Sequence, residues 1–350
     1  MNIMPRYTQL AKKLINGAIM GEMKATAIAH PNLALIKYWG KMDEAQLLPM
    51  NGSISITLDS YFTTVTVEFS DVYDKDIATI NGKEIPENTM ARLVKHIDRI
   101  RKLSGIKLRA RGEARLNFPI GAGLASSSSG FAALTLAAST AAGMNLNKKE
   151  LSILSRQGSG SSSRSIYGGF VEWLKGSSSE ESYAMQIEDE KWWPELNDIA
   201  IVVSTSARKV DTRGGMKIAR DTSPYYGSWL ENVSKDLGSM RKAIKDKNFT
   251  LLGKIAERNS LMMHGTAISS TPPLIYWVPE TVLIMQEVLK LREEGIECYF
   301  TLDTGANIHI LSIGRDVRHI IERVEATGVA KSIGVNGAGP GAEVIDKPLF

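Results

Sequence analysis

Apolar positions along the chain fall into runs whose period switches between two and about three and a half, and each switch marks a new element. Lys24 to Ile36 alternates small, apolar and polar residues and then breaks at Lys37-Tyr38-Trp39-Gly40-Lys41, which reads as a strand leading into a functional turn. Asn51-Gly52 and Asn81-Gly82 are turn signals, and the alternation in Ser53 to Leu58 and Thr63 to Phe69 predicts two strands paired with each other. Thr89 to Leu103 carries apolar residues at helical spacing and leaves Arg92, Lys95, Arg99 and Arg101 on a face read as solvated. A strand over Lys107 to Asn117 and a buried, Ala-rich helix over Phe131 to Gly143 come next.

Further on, Asn147 to Leu154 predicts a helix, with Asn147 as cap and Glu150 at capping-box spacing. Gly169 to Leu174 and Ile199 to Ser204 read as strands, residues 177–182 as a hairpin tip, and Asp211 to Gly215 as a loop. Trp229 to Met263 is helical in two pieces parted near Asp246 to Asn248, and Pro272-Pro273 stops it. Glu280 to Glu294 is a helix opened by Pro279 and closed at Gly295. Strands over Cys298 to Leu302 and Ile308 to Ile313, a helix over residues 316–326 and an edge strand over Ala342 to Ile345 complete the pattern. Strand runs followed by a long helical block predict an α+β fold in two lobes with a ligand cleft between them. The expected division is an N-terminal extension over 1–23, a first lobe over 24–185 and a second over 186–350.

The chemistry gathers where the periodicity fails. Asn117 to Gly130 is a glycine- and serine-rich loop running into a helix, an arrangement whose free N–H groups and dipole suit an anion, phosphate above all. The bland alternative is a linker. A second Gly/Ser cluster, Arg156 to Tyr167, holds Arg156 and Arg164 among backbone and hydroxyl donors and suits phosphate or carboxylate. Asp303, between two apolar strands and beside Gly305, is either an active-site carboxylate or an Asx-turn residue bonding its own backbone. His264 and His309 lie near these loops, but no metal or nucleophile spacing accompanies them, so both read as structural and no metal site is expected.

Composition narrows the classes. A chain of 350 residues, 43% apolar and with net charge +4, buries a large core and shows no nucleic-acid footprint. The one cysteine, Cys298, excludes an internal disulfide and fits a cytoplasmic protein. No apolar run is long enough to cross a membrane, and Tyr7 to Asn16 is at most a short amphipathic helix without a signal-peptide core.

Five motifs in order then resemble one family: Lys37-Tyr-Trp-Gly-Lys41, Asn117-Phe-Pro with Gly123-Leu-Ala-Ser-Ser127, Arg156-Gln-Gly-Ser-Gly-Ser161 with Arg164, Gly168-Gly-Phe-Val-Glu-Trp173, and Tyr299-Phe-Thr-Leu-Asp303. The chain resembles the mevalonate-pathway decarboxylases of the GHMP kinase superfamily from about residue 24 to 345. The resemblance implies a two-lobed fold, a cleft site, a homodimer and, in the diphosphomevalonate enzymes, phosphorylation of a tertiary hydroxyl by ATP followed by loss of phosphate and carbon dioxide. It makes Asp303 the catalytic aspartate and Lys37 its neighbouring lysine. Tyr38, Lys41, Ser159, Ser161 and Arg164 would hold the substrate's phosphate and carboxylate, Gly123, Ser126 and Ser127 would form the phosphate loop, and Thr212 stands in the closing loop where Ser is usual.

Departures from the pattern shape the substrate expectation. Met42 stands where Arg is usual, and Leu116 and Ile120 replace polar residues on the nucleotide side of Asn117-Phe-Pro. Asn51-Gly-Ser-Ile-Ser55, Met263-His264 and Gly337-Ala-Gly-Pro-Gly341 look more like the branch that yields isopentenyl phosphate. The expectation drawn from these residues is ATP-independent decarboxylation of mevalonate 3,5-bisphosphate with no cofactor. The alternatives are an ATP- and Mg2+-dependent phosphomevalonate or diphosphomevalonate decarboxylase, a related small-molecule kinase, and a binding module without chemistry.

Overall fold

The computed structural model describes residues 23–118, 126–206 and 210–350. Its first half runs β1 (Lys24–Ala29), β2 (Asn32–Ile36), β3 (Lys41–Asp43), β4 (Leu48–Pro49), β5 (Ser53–Thr57), β6 (Thr63–Ser70), β7 (Ile77–Ile80), β8 (Lys83–Glu84), α1 (Glu87–Ser104), β9 (Arg109–Leu116), α2 (Ser126–Ala141) and α3 (Lys148–Gly158). A 3-10 helix, Gly160–Ile166, leads into β10 (Phe170–Trp173), β11 (Ala184–Glu188) and β12 (Leu196–Val202). A helical block comes after them, α4 (Thr212–Thr222), α5 (Tyr226–Lys245), α6 (Phe249–Ile268) and α7 (Pro279–Glu293), then β13 (Cys298–Thr301), β14 (Ile308–Ile313), α8 (Val317–Ala326), β15 (Ser332–Asn336) and β16 (Glu343–Ile345).

These elements build a six-stranded sheet ordered β16-β1-β6-β9-β7-β8, four-stranded sheets ordered β11-β10-β5-β2 and β13-β14-β12-β15, and a small β3-β4 ribbon. The stretch expected as one strand over Lys24 to Ile36 is two, in different sheets. Pro31 explains the break: it cannot donate to a ladder, and its carbonyl instead accepts from the Leu58 N–H at 2.9 Å. The expected pairing of Ser53–Leu58 with Thr63–Phe69 does not occur. β5 pairs with β2 and β10, and β6 with β1 and β9. Alternation identifies a strand but carries no information about its partner.

The helical expectations fare differently. α3 has the capping box read from Asn147 and Glu150, with Asn147 Oδ1 accepting from the Glu150 N–H at 3.0 Å and Glu150 Oε2 from the Asn147 N–H at 2.9 Å. Asp211 to Gly215, expected as a loop, is the cap and first turn of α4. The Asp211 side chain accepts from the Gly214 N–H at 2.7 Å and so starts the helix. On α1 the face read as solvated is only partly so: Arg101 is buried against Asp76, which arrives from the loop after β6, and Arg92 is half-buried.

Two hydrophobic cores hold the site-bearing elements in place. Ala132, Ala133, Ala137 and Ala138 of α2 lie on Ala27, Ala29, Val65 and Val67 of the large sheet, small residues that bring helix and sheet close together. The second core takes Leu33, Ile36, Ile54 and Phe170 from β2, β5 and β10 together with Trp229, Val233, Ile255 and Met263 from α5 and α6. The helical block is therefore packed directly against the first lobe's second sheet. β11 spans the expected boundary at residue 185 and pairs with β10, while β16 crosses back to pair with β1.

The glycine stretch at 337–341 serves this crossing. A Cβ on Gly168 would stand 2.7 Å from the Gly341 nitrogen and 2.8 Å from the Gly339 oxygen, both backbone atoms. Gly168→Ala should therefore destabilise the protein by about 1–3 kcal/mol through overpacking, read as a lower urea midpoint. An unchanged midpoint would show that the two backbones are free to part.

Candidate active site

Every described residue to which the resemblance gives a role in the site lines one cavity of about 280 Å³ between the lobes: Lys37, Tyr38, Lys41, Ser126, Ser127, Ser159, Ser161, Arg164, Thr212 and Asp303. Gly123 of the expected phosphate loop lies outside the described residues.

Lys37 follows the last residue of β2, and its position is fixed from three sides. Its N–H donates to Asn259 Oδ1 of α6 at 2.9 Å, its carbonyl accepts from Asn51 Nδ2 at 2.8 Å, and its ammonium donates to the Ala34 carbonyl at 2.8 Å. A second donor direction points at Asp303, whose Oδ1 lies 2.7 Å from Nζ. The Lys37 side chain is 2% exposed and that of Asp303 29%. Burial pushes the Asp303 carboxyl up, but the Lys37 charge and hydrogen bond, with His309 and Arg164 behind them, outweigh it and hold the group below the usual carboxylate range. Asp303 thus bonds a lysine of the other lobe, and the Asx-turn alternative does not describe it.

Arg164, on the 3-10 helix, is 2% exposed. It donates Nε and Nη2 to Asn32 Oδ1 at 3.1 and 3.0 Å, Nε also to Ser55 Oγ at 2.9 Å, and Nη1 to Ser53 Oγ at 2.5 Å. All these acceptors are neutral. Burial pulls its pKa down to about 10, with Asp303 acting in the opposite sense. The Tyr38 ring stands edge-on to Trp173 at 4.7 Å, and its hydroxyl is buried without a hydrogen-bond partner among the described residues. Gly160 permits this approach, since a Cβ there would meet both rings at 2.9 Å. Lys41 Nζ pairs with Glu44 Oε2 at 2.6 Å, and Thr212 Oγ1 lies 2.6 Å from Thr304 Oγ1.

Two cations that sequence reasoning missed complete the wall. Arg92 reaches the cavity from α1 and Arg213 from the first turn of α4. The Arg92 guanidinium lies 5.2 Å from the Phe131 ring centroid, and its Nε has no hydrogen-bond partner among the described residues. Burial first, and then the charge of Arg213, lower its pKa to about 10, with Asp211 opposing. A helical wheel records which face packs on a core, but a cavity wall and open solvent look alike to it. Arg213 beside Gly214-Gly215 was the signal available for the other. Arg156, by contrast, is fully buried and ties Gln46 to Ser179, and it does not line the cavity.

Leu116, expected to weaken a nucleotide site, packs with Tyr61, Phe118, Ala200 and Val202 where the lobes touch. Its apolar side chain is accounted for by that contact. Ile120 lies outside the described residues. The two histidines near the motif loops are buried: His309 Nδ1 lies 2.9 Å from Asp198 Oδ1, and His264 has its pKa pushed down to about 3 by burial first and the Lys37 charge second. Among the described residues no group of three or more His, Cys, Asp or Glu side chains could hold a metal ion.

Residues 29–184 match the model of the diphosphomevalonate decarboxylase-like N-terminal domain, and residues 199–334 that of the mevalonate 5-diphosphate decarboxylase C-terminal domain. The phosphomevalonate decarboxylase of Haloferax volcanii is 32% identical over 326 residues, 93% of this chain and 98% of that protein. The diphosphomevalonate decarboxylase of Bos taurus is 31% identical over 85% of this chain and 79% of its own. Among solved structures, the mevalonate diphosphate decarboxylase of Staphylococcus aureus superposes with TM-score 0.89 at 42% identity, covering 92% of this chain and 98% of that one. A complex of MDDEF with MVAPP, AMPPCP and magnesium does so with TM-score 0.89 at 40% identity, covering 93% and 100%.

The pair geometry has a direct spectroscopic consequence. Replacing Lys37 by Met removes the largest influence favouring ionised Asp303 and leaves burial opposed only by His309 and Arg164, so the carboxyl pKa should rise. NMR of 13C-labelled aspartate would register it, and a titration midpoint that stays put or falls would mean the ammonium does not set the charge of Asp303.

Proposed function

Because the chain belongs to the diphosphomevalonate decarboxylase family of the GHMP kinase superfamily, and is a carboxy-lyase of the mevalonate pathway acting on a phosphorylated mevalonate, we propose that its substrate carries phosphate on the 5-oxygen and that ATP is the co-substrate. One observation carries this: the Lys37–Asp303 pair and Arg164, a buried guanidinium bonded to neutral acceptors, open on the same cavity. A substrate with a carboxylate at one end and a hydroxyl-bearing carbon in between meets a cation for the first and an anion for the second.

Arg164 would hold the carboxylate that leaves as carbon dioxide. As the C–C bond breaks, its electron pair forms the alkene and expels the group on the tertiary carbon, so positive charge builds at that carbon. Asp303, kept ionised by Lys37, stabilises that charge across a short, poorly screened distance. The same carboxylate can take the hydroxyl proton at Oδ1 or Oδ2. Lys41, Tyr38, Ser159 and Ser161 would hold the 5-phosphate, with Thr212 at the edge of the site.

ATP supplies the phosphoryl group that turns a tertiary hydroxyl into a leaving group. Other lining residues fit its phosphates: Ser126 and Ser127 open α2 with no acidic residue in the first turn, and Arg92 and Arg213 repel each other, a cost that a bound anion would offset. Mg2+ would come with the nucleotide rather than on a carboxylate cluster of the chain. The expectation of an ATP-independent reaction rested on Leu116 and Ile120, and the lobe contact made by Leu116 removes half of that ground.

The deciding assay offers purified protein the 5-phosphate, the 5-diphosphate and the 3,5-bisphosphate of mevalonate, each with and without MgATP. Carbon dioxide and orthophosphate should appear together, only with ATP, from a 5-phosphorylated substrate. ATP-free release from the bisphosphate would overturn the nucleotide assignment, and a stable phosphorylated product without carbon dioxide would make the protein a kinase. Asp303→Asn should lower kcat by about a thousandfold or more with a small change in KM, as for a group acting mainly in the transition state. Retained turnover would remove Asp303 from the chemistry.

A further inference from the structure

Lys41 differs from the other cations of the cavity in having a carboxylate drawn onto it from outside. Its side chain is 5% exposed, whereas that of Glu44, its partner at 2.6 Å, is 52% exposed. The backbone between them is held firmly. Asp43 Oδ1 accepts from the Ala45 and Gln46 N–H groups at 2.7 and 2.8 Å, Arg156 holds the Gln46 carbonyl, and Arg220 Nη1 donates to the Lys41 carbonyl at 2.5 Å. The Glu44 side chain therefore has two settings available on a fixed turn, on the ammonium or out in water. Beside the pair is the Tyr38 hydroxyl, buried without a hydrogen-bond partner among the described residues, whose pKa is pushed up by burial first and by the Glu44 charge second.

We propose that Glu44 is a specificity residue that stands in for the substrate's phosphate on Lys41. A buried ammonium with no counter-charge is costly, and Glu44 removes that cost while no anion is bound. A phosphate oxygen, more highly charged and able to accept from Lys41 and Tyr38 together, displaces the carboxylate, which moves into water at little expense because it is already half there. An uncharged alcohol cannot make the exchange. The carboxylate thus screens out the unphosphorylated form of the substrate and returns to help release a phosphorylated product. This inference rests on the reading that Lys41 takes the substrate's phosphate, and its test does not require turnover.

Inorganic pyrophosphate is the probe, titrated calorimetrically into the full-length protein, into Glu44→Gln, into Lys41→Met and into the double variant. Glu44 is exposed enough for the amide to fold. Glu44→Gln should bind pyrophosphate about three- to tenfold more tightly, the scale of losing one partly exposed competing ion pair, and the gain should vanish in the Lys41→Met background. Equal or weaker binding by Glu44→Gln would overturn the proposal, and so would a gain that survives in the double variant, since Glu44 would then act by general repulsion. In turnover the same variant should show a lower KM for the phosphorylated substrate. If no phosphorylated mevalonate releases carbon dioxide while the pyrophosphate difference persists, the functional reading fails and the exchange at Lys41 stands.

Discussion

An ion pair between the two lobes, fully buried Lys37 to partly buried Asp303, is the constraint on which the rest depends. Its partners are separated by 266 positions in the chain, and neither tolerates burial alone. The ammonium is acceptable only because a strand end, a buried asparagine on α6 and the Ala34 carbonyl fix it while Asp303 neutralises it. The carboxyl is held below its usual range in the cleft chiefly by the ammonium. Everything that brings β2 to the end of β13, above all the apolar core shared by the first lobe's second sheet and the helices α5 and α6, therefore also sets the surroundings of the cavity's carboxylate. Fold and chemistry are coupled at one contact, with Arg164 and His309 adding their fields from behind.

Much of the site was legible because its residues sit in motifs that break secondary-structure periodicity. Lys37 to Lys41, Ser159 to Arg164 and Asp303 are places where neither a helical nor an alternating pattern continues, and all reach the same cavity. Arg92 was not legible, because it belongs to a regular helix whose outward face is indistinguishable in sequence from one turned toward a cleft. Helices were read well where the local chemistry closes on itself, as at Asn147 and Glu150. Strands were read as strands but paired wrongly at Ser53 and Thr63, since pairing is decided by distant residues such as β9 and β10 and by the break at Pro31. The packing of the apolar Leu116 was not legible for a related reason, because its partners Ala200 and Val202 lie in the other lobe.

The cavity wall is also asymmetric in a way that a residue count conceals. Lys37, Lys41, Arg92, Arg164 and Arg213 face it, and among the described residues only Lys37 and Lys41 of these have carboxylates of their own. Guanidiniums without carboxylate partners make the site electrostatically incomplete without anions. Their desolvation is a cost carried in the fold and offset when ligand arrives, so part of the binding energy is used to relieve repulsion already present.

β16 has a bearing on how the chain comes into being. In the six-stranded sheet, β1 has β6 on one side and β16 on the other, so the strand that starts the described fold is completed by the strand that ends it. During synthesis on a ribosome, β1 presents a row of unsatisfied N–H and C=O groups until residues 343–345 have emerged, and such an edge attracts foreign strands. The first lobe cannot finish before the second has been made. A growing chain of this design has an exposed edge for nearly its whole time in production, which makes its passage through translation the period when holding factors would matter most.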